Sequence, residues 1–331
     1  MAVTGKEIAK RLGLSTATVS LALNNRPGVN ERTRKAVLTC RNAMQRERDG
    51  AHARKVLLLN DQELSSVNDY GLFEQSYAEL FQVLNAHGCL LQLQVYENDP
   101  QRFRSQLEQL KDGIAGIIVF AVNLPPDCVR ALSRISAPVV IFDSDIFIPG
   151  ADNFLIDNAG GIAAAMGLFE RMGRKEIYYL AHADRGNFNF LDRRRAVREL
   201  SEQSGISVHT LTLGRTIEEI CRNAIPFLQA REGQQINMLM ENYQVSLGVL
   251  RAAQQLQTLG KRHIPEELLP VCFDELPKPA LSLIPWRTPM IRIPHRQKAN
   301  MAAIRLIERM EGKAEQEFTF TVRTQLLNGE F

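Results

Sequence analysis

The sequence predicts two architectures in one chain: a small all-α helix-turn-helix head, then an α/β core of two doubly wound parallel-sheet lobes. Three observations carry this expectation. Within the first 45 residues, three short amphipathic segments each begin at a capping residue, and the first two stop at glycine or at an Asn-Asn-Arg-Pro-Gly break. From residue 56 onward, short apolar runs alternate with helix-length amphipathic segments, the rhythm of βαβ units and parallel sheets. Charge divides the same way: residues 1–55 hold 12 Lys and Arg against 4 Asp and Glu, net +8, and the other 276 residues carry −5.

In the head, Thr4-Gly-Lys-Glu7 spells a capping box that starts a helix with Ile8, Ala9 and Leu12 inward, and Gly13 ends it. Ser15 caps a second helix with Val19, Ala22 and Leu23 at helical spacing, broken at 24–28. Asn30 caps a third, in which Val37, Cys40 and Met44 recur on one face. The turn Gly13-Leu14-Ser15 joins the first two as a helix-turn-helix, whose second helix enters the major groove with its N-terminal residues nearest the bases. Thr16, Ala17, Ser20 and Leu21 are expected outward. Thr16 can hydrogen-bond a base edge, Ala17 can meet a thymine methyl, and Ser15, Thr18 or Ser20 can bond phosphate. Thr4, Asn24, Arg26, Thr33 and Arg34 complete the expected DNA-binding set. A three-helix module that binds protein is the competing reading; +8 on so short a segment favours a polyanion.

Residues 46–55, RERDGAHARK, are expected to be a linker in which Gly50 discourages a stable helix, with Arg46, Arg48, Arg54 and Lys55 on phosphates. Strands are expected at 56–60, 90–96, 116–120, 138–143, 176–181, 208–213, 236–240, 269–274 and 318–323, and helices at 72–87, 101–112, 158–173, 192–204, 216–231, 243–260 and 296–311. About 275 residues supply units for two lobes in place of one barrel. Ligands of open α/β sheets sit beyond the carboxyl ends of strands, where Asp143 and Asp274 fall.

Several classes are disfavoured. No run of 18 apolar residues suggests a membrane span, and the first 50 residues lack an apolar signal-peptide region, so a cytoplasmic protein is expected. Five cysteines without CxxC spacing read as buried thiols, and six unclustered histidines do not suggest ligands. GxSxG, HExxH, GxGxxG and GxxxxGK[ST] are all missing, so no catalytic residue, metal or cofactor is expected.

The head VTGKEIAKRLGLSTATVSLALNNRPGVNERTRKAV resembles that of the LacI/GalR family of bacterial transcriptional regulators, in its VT-initiated helix, GxS turn, TVS, LN and VxxxTRxxV pattern. Residues 73–120, PVVIFD, 156–181, 241–262 and IPEELLPVCFDELP are similar to successive blocks of the family's core. The resemblance implies a type I periplasmic-binding-protein-like core and a non-enzymatic repressor of carbohydrate genes. Its partners would be a pseudo-palindromic double-stranded operator and a small effector, a sugar or sugar phosphate, held between the lobes. It also implies a homodimer, with a higher oligomer open, and lobes made of 56–156 with 292–316 and of 157–291 with 317–331, after a head at 1–45 and a linker at 46–55. A co-repressor-dependent regulator binding a purine-like ligand is the alternative, and an enzyme core bearing a DNA-binding head the remote one.

For the effector, the resemblance points to Asp143, Arg193 (with Arg195 open), Asn242 and Asp274. Two carboxylates, an amide and a guanidinium suit a polyol, while the arginine can instead clamp a phosphate or carboxylate. Phe73, Tyr243 and Trp286 are candidates to stack on the ligand or to pack in the core. Two departures stand out: Leu21 follows TVS where the family has Arg, and the 46–55 segment lacks the family's proline and hinge-helix leucine. Little DNA bending and a strong salt dependence are therefore expected.

Overall fold

A computed structural model describes residues 3–52, 54–61, 72–110, 113–260, 268–276 and 288–327, with side chains described for all of these except 42, 43, 45–52, 61, 72 and 73. Trp286 lies outside the described residues, and for Phe73 only the backbone is described.

The head comprises α1 (Gly5–Leu12), α2 (Thr16–Leu23) and α3 (Glu31–His52). Ile8, Ala9, Val19, Ala22, Val37 and Cys40 close one small core, with Leu12, Leu23 and Met44 at its edge. The helices begin as the sequence implies, but the third continues as one helix through Gly50 to His52, and β1 starts at Arg54. The expected linker is therefore helix and strand. A single glycine costs only about 1 kcal/mol in a helix interior, and the surrounding Ala, Met, Gln, Arg and Glu are good helix formers that carry the helix past it.

The first lobe is built on a six-stranded sheet of order β11-β5-β4-β3-β1-β2, from β1 (Arg54–Asp61), β2 (Cys89–Tyr96), β3 (Ile114–Phe120), β4 (Val139–Phe142), β5 (Ala151–Ile156) and β11 (Thr319–Val322). All its pairings are parallel. Buried on both faces, its central strands read as continuous apolar runs such as IIVF and VVIF. One face carries α4 (Leu72–Ala86) and α11 (His295–Met310), which pack Leu80, Leu84, Ala299, Ala302, Ala303 and Leu306 over Val56, Ile118 and Phe142. The other carries α5 (Pro100–Leu110) and α6 (Pro126–Ala131), with Phe103, Leu107 and Val129 buried.

The second sheet has the order β12-β10-β9-β8-β6-β7, from β6 (Glu176–His182), β7 (Ser207–Gly214), β8 (Ile236–Met240), β9 (Leu268–Phe273), β10 (Met290–Arg292) and β12 (Gln325–Leu327). Only the short β12 runs antiparallel. Its helices are α7 (Asn158–Arg171), α8 (Phe188–Ser204), α9 (Ile217–Gln229) and α10 (Tyr243–Thr258). Gly161 lets α7 lie close on the sheet: a Cβ there would stand 2.7 Å from the Phe273 ring.

The chain passes between sheets after β5, after β10 and after β11. The last crossing departs from the expected division, which gave 317–331 to the second lobe. Thr319–Val322 pairs with β5 in the first sheet, and only Gln325–Leu327 joins the second. A run of alternating Phe and Thr marks a strand but not which sheet it completes.

Candidate functional site

On the head, the Ser15 hydroxyl accepts from the Thr18 amide at 3.0 Å and contacts the Thr18 hydroxyl at 2.7 Å, fixing the start of α2. Thr4 closes its capping box with Glu7, the Thr4 amide donating to the carboxylate at 2.8 Å. Ser15, Thr16, Ala17, Ser20, Asn24 and Arg26 are exposed, while Thr18 and Thr33 are partly covered. Leu21 is also half-buried: its Cδ1 lies where a Cβ on Gly28 would touch it at 3.5 Å. It packs on the turn instead of standing clear as expected.

Arg34 also departs from expectation. Its guanidinium donates to the carbonyls of Ala22 at 3.2 Å and Arg26 at 3.0 Å, so it seals the C-terminal end of α2, where a cation meets the negative end of the helix dipole. Asn24 likewise turns its amide back onto the Ser20 carbonyl at 2.9 Å. Arg54, expected on phosphate, begins β1 and donates to the His87 carbonyl at 2.9 Å while facing Glu311 at 3.5 Å; Lys55 follows it in the strand, half-buried. The side chains of Arg46 and Arg48 are not among those described.

In the core, the effector candidates gather beyond the carboxyl ends of the strands. Asp143 follows β4 and Asp274 follows β9, both in left-handed backbone at φ 58° and 74°, a region that Asp tolerates better than most side chains. Both are buried. Arg193, on α8 and only 2% exposed, donates to Asn158 Oδ1 at 2.9 Å, the Glu241 carbonyl at 2.6 Å and Asp274 Oδ1 at 3.3 Å, and stacks 3.8 Å above Phe273. Asp274 accepts from the Tyr243 amide at 3.2 Å through its other oxygen. Burial pushes the Asp274 carboxyl above the ordinary aspartate value, although Arg193 and the amide pull it down. Asn242 is the N-cap of α10, its Oδ1 accepting from the Val245 amide at 2.9 Å.

Among the tandem arginines, Arg193 points inward, Arg195 is exposed beside Asp192, and Arg194 reaches the fully buried Glu241. Glu241 also accepts from the Tyr179 hydroxyl at 2.9 Å and the His182 amide at 2.7 Å. Burial, and then the Glu241 charge, hold the Tyr179 phenol well above its ordinary range. Tyr243 belongs to the second-lobe core and is 5% exposed, with its ring among the buried residues of that cluster.

Two residues without a signal in the sequence stand beside this polar cluster. Lys298, 2% exposed on α11, donates to Asp143 Oδ1 at 2.8 Å and lies 5.0 Å over the Phe142 ring. His295, at the start of that helix, has a buried Nε2 with no hydrogen-bond partner among the described residues. Burial first, then the charges of Lys298 and Arg193, lower its pKa to about 3. Across the lobes, the Phe188 amide donates to the Val122 carbonyl at 2.8 Å. Among the described residues no group of His, Cys, Asp and Glu can hold a metal ion, and no helix is long and apolar enough to cross a membrane.

A capped helix-turn-helix head on a two-lobed α/β core with polar side chains at its strand ends defines the class. Residues 4–45 match the family described as bacterial regulatory proteins, lacI family. The chain is 29% identical over 185 residues to an HTH-type transcriptional repressor PurR of Mannheimia succiniciproducens, covering 54% of each, so it spans about half the length of the curated relatives it matches. Its fold superposes on a transcriptional regulator CelR–cellobiose complex with TM-score 0.68 at 17% identity over 99% of both chains. It does so too on the Lac repressor dimer bound to operator and the anti-inducer ONPF, at 0.66 and 17% over 99% of this chain and 98% of that one. The resemblance to LacI/GalR regulators is borne out to this extent: residues 4–45 match the lacI-family model, and the chain has the fold of these solved regulators.

Proposed function

We propose that this chain is a DNA-binding transcriptional repressor that works as a homodimer on a pseudo-palindromic operator. A small effector, a sugar or sugar derivative, held between the lobes sets its operator affinity. The observation that carries this reading is the exposed edge of Ser15, Thr16, Ala17 and Ser20 on a capped second helix, within a segment of net charge +8. A ligand changes DNA affinity only if it prefers one lobe arrangement, and Asp143, Lys298, Arg193 and Asp274 stand where such a preference can arise. The reading is of a binding protein and not an enzyme, acting in the cytoplasm.

Selection of binding sites from random duplexes with the full chain tests it. The expected result is an inverted repeat bound at low salt and lost when Thr16 and Ala17 are both replaced by Glu. Binding that ignores sequence, or survives that change, refutes it. A purine-like co-repressor is the second reading, favoured by the relatives named PurR. A thermal-shift screen of sugars, sugar phosphates and purines separates the two, because a ligand of the native state raises the melting temperature.

A further inference from the structure

The start of α11, beside Asp143, holds donors that the fold leaves unused. Arg193 places three of its five N–H groups, on Asn158, the Glu241 carbonyl and Asp274, and Asp274 accepts from Arg193 and the Tyr243 amide. Lys298 places fewer. Its buried ammonium has three N–H groups, and among the described residues it has one acceptor, Asp143 Oδ1. His295 lies one helical turn before it, with Nε2 shut from solvent and unpartnered.

Resting on the reading of the space between the lobes as the effector site, we propose that its side at the start of α11 binds an oxyanion, a carboxylate or phosphate carried by the effector. Lys298 and His295 are its donors, and His295 takes a proton from solvent as the oxyanion arrives. The charges favour this. The charges that act on His295 are Lys298 on its own helix and Arg193 on α8, and each of these cations is paired with a carboxylate, Asp143 after β4 and Asp274 after β9. With His295 neutral, the two cations and two carboxylates cancel. A monoanion would leave the buried group at −1, and protonation of His295 restores neutrality while supplying a second N–H to the anion. Burial first, and then these two cations, hold His295 neutral; a bound anion offsets the cations, so its pKa rises on binding. A neutral polyol does neither.

Ring NMR of the full chain tests this, with the His295 signal assigned by its loss in His295→Gln. Inorganic phosphate and sodium acetate are the probes, each against chloride at equal ionic strength. One of them is expected to raise the His295 titration from about 3 to above about 5, where both probes are ionised, and which one does so distinguishes phosphate from carboxylate. Lys298→Met is expected to remove the shift. An unchanged titration with both probes, or an equal shift in Lys298→Met, overturns the proposal. Should Lys298→Met not fold, the oxyanion-dependent rise in melting temperature is compared between the native chain and His295→Gln, and an equal rise overturns it. Operator binding is measured separately, so an unresponsive His295 with intact DNA binding rejects the oxyanion alone.

Discussion

Asp143 and Asp274 hold equivalent places in the two lobes: each follows a central strand in left-handed backbone, at φ 58° and 74°, and each meets a buried cation, Lys298 at 2.8 Å and Arg193 at 3.3 Å. The pairing gives these carboxylates a structural role. Replacing Asp274 by Ala strands the Arg193 charge in the interior and puts a β-carbon with no compensating hydrogen bond at positive φ. A loss of about 3–5 kcal/mol follows. Asp274→Asn keeps an acceptor for the Tyr243 amide and a side chain suited to that backbone, and should lose less. Urea denaturation should rank native above Asn above Ala; an Ala variant of native stability would show that the ion pair does not matter to the fold.

Arg34 illustrates the opposite case, a residue of DNA-binding type that serves the head itself. Its guanidinium holds the Ala22 and Arg26 carbonyls, so Arg34→Met should lower head stability by roughly 1 kcal/mol. DNA affinity would fall through folding. A phosphate contact, when removed, lowers the slope of log K against log salt by about 1. The slope for Arg34→Met is expected to stay at the native value when measured on the folded fraction, and a reduced slope would return Arg34 to the DNA.

Most of the architecture was legible because the sequence obeys two periodicities. Strands such as INMLM at 236–240 appear where the apolar run places them, and the caps at Thr4, Ser15 and Asn30 start the head helices. β5, β10 and β12 carry weaker signals: β5 opens with Ala-Asp-Asn, and the other two have three residues each, too few for a pattern. In the cleft, aspartates ending apolar strands announce themselves, and Arg193 was found by resemblance. Lys298 and His295 were not, since a lysine and a histidine at the start of an amphipathic helix read as a solvated end. Only the packing of α11 on the first sheet, beside Asp143, turns them inward. Tyr243, which the sequence left open between stacking on a ligand and packing in the core, is among the buried residues of the second-lobe core.

On the proposed reading, the continuous helix to His52 bears on how the head would hold DNA. Without the family's hinge leucine to wedge between base steps, affinity should come from phosphates and the exposed start of α2. Operator binding is therefore expected to fall steeply between about 50 and 200 mM salt, on the order of a thousandfold for six phosphate contacts. A circular-permutation gel assay should show little bend. A large bend would mean that residues 46–52 insert into the minor groove, contrary to this reading.

The imidazole of His295 gives the core a pH signature without any ligand. In the fold its pKa stands at about 3, whereas an unfolded histidine titrates near 6.5. Between those values the unfolded chain binds a proton that the folded chain refuses, so stability is highest above about pH 6.5 and declines as pH falls toward 3, by at most about 1.4 kcal/mol per unit for one such group. His182, lowered chiefly by burial, acts in the same direction. Asp152 adds a further loss at the acid end: although burial would raise it, hydrogen bonds from Arg309 and Arg305 hold it below 3.8, and its contribution disappears once it is protonated. The windows are separable. His295→Gln should flatten the stability curve between pH 6.5 and 4 while leaving its more acid limb, and Asp152→Asn should do the reverse. Denaturant titrations at half-unit steps of pH check this, and a His295→Gln curve parallel to the native one across pH 4–6.5 would mean that the histidine is protonated in the folded cleft.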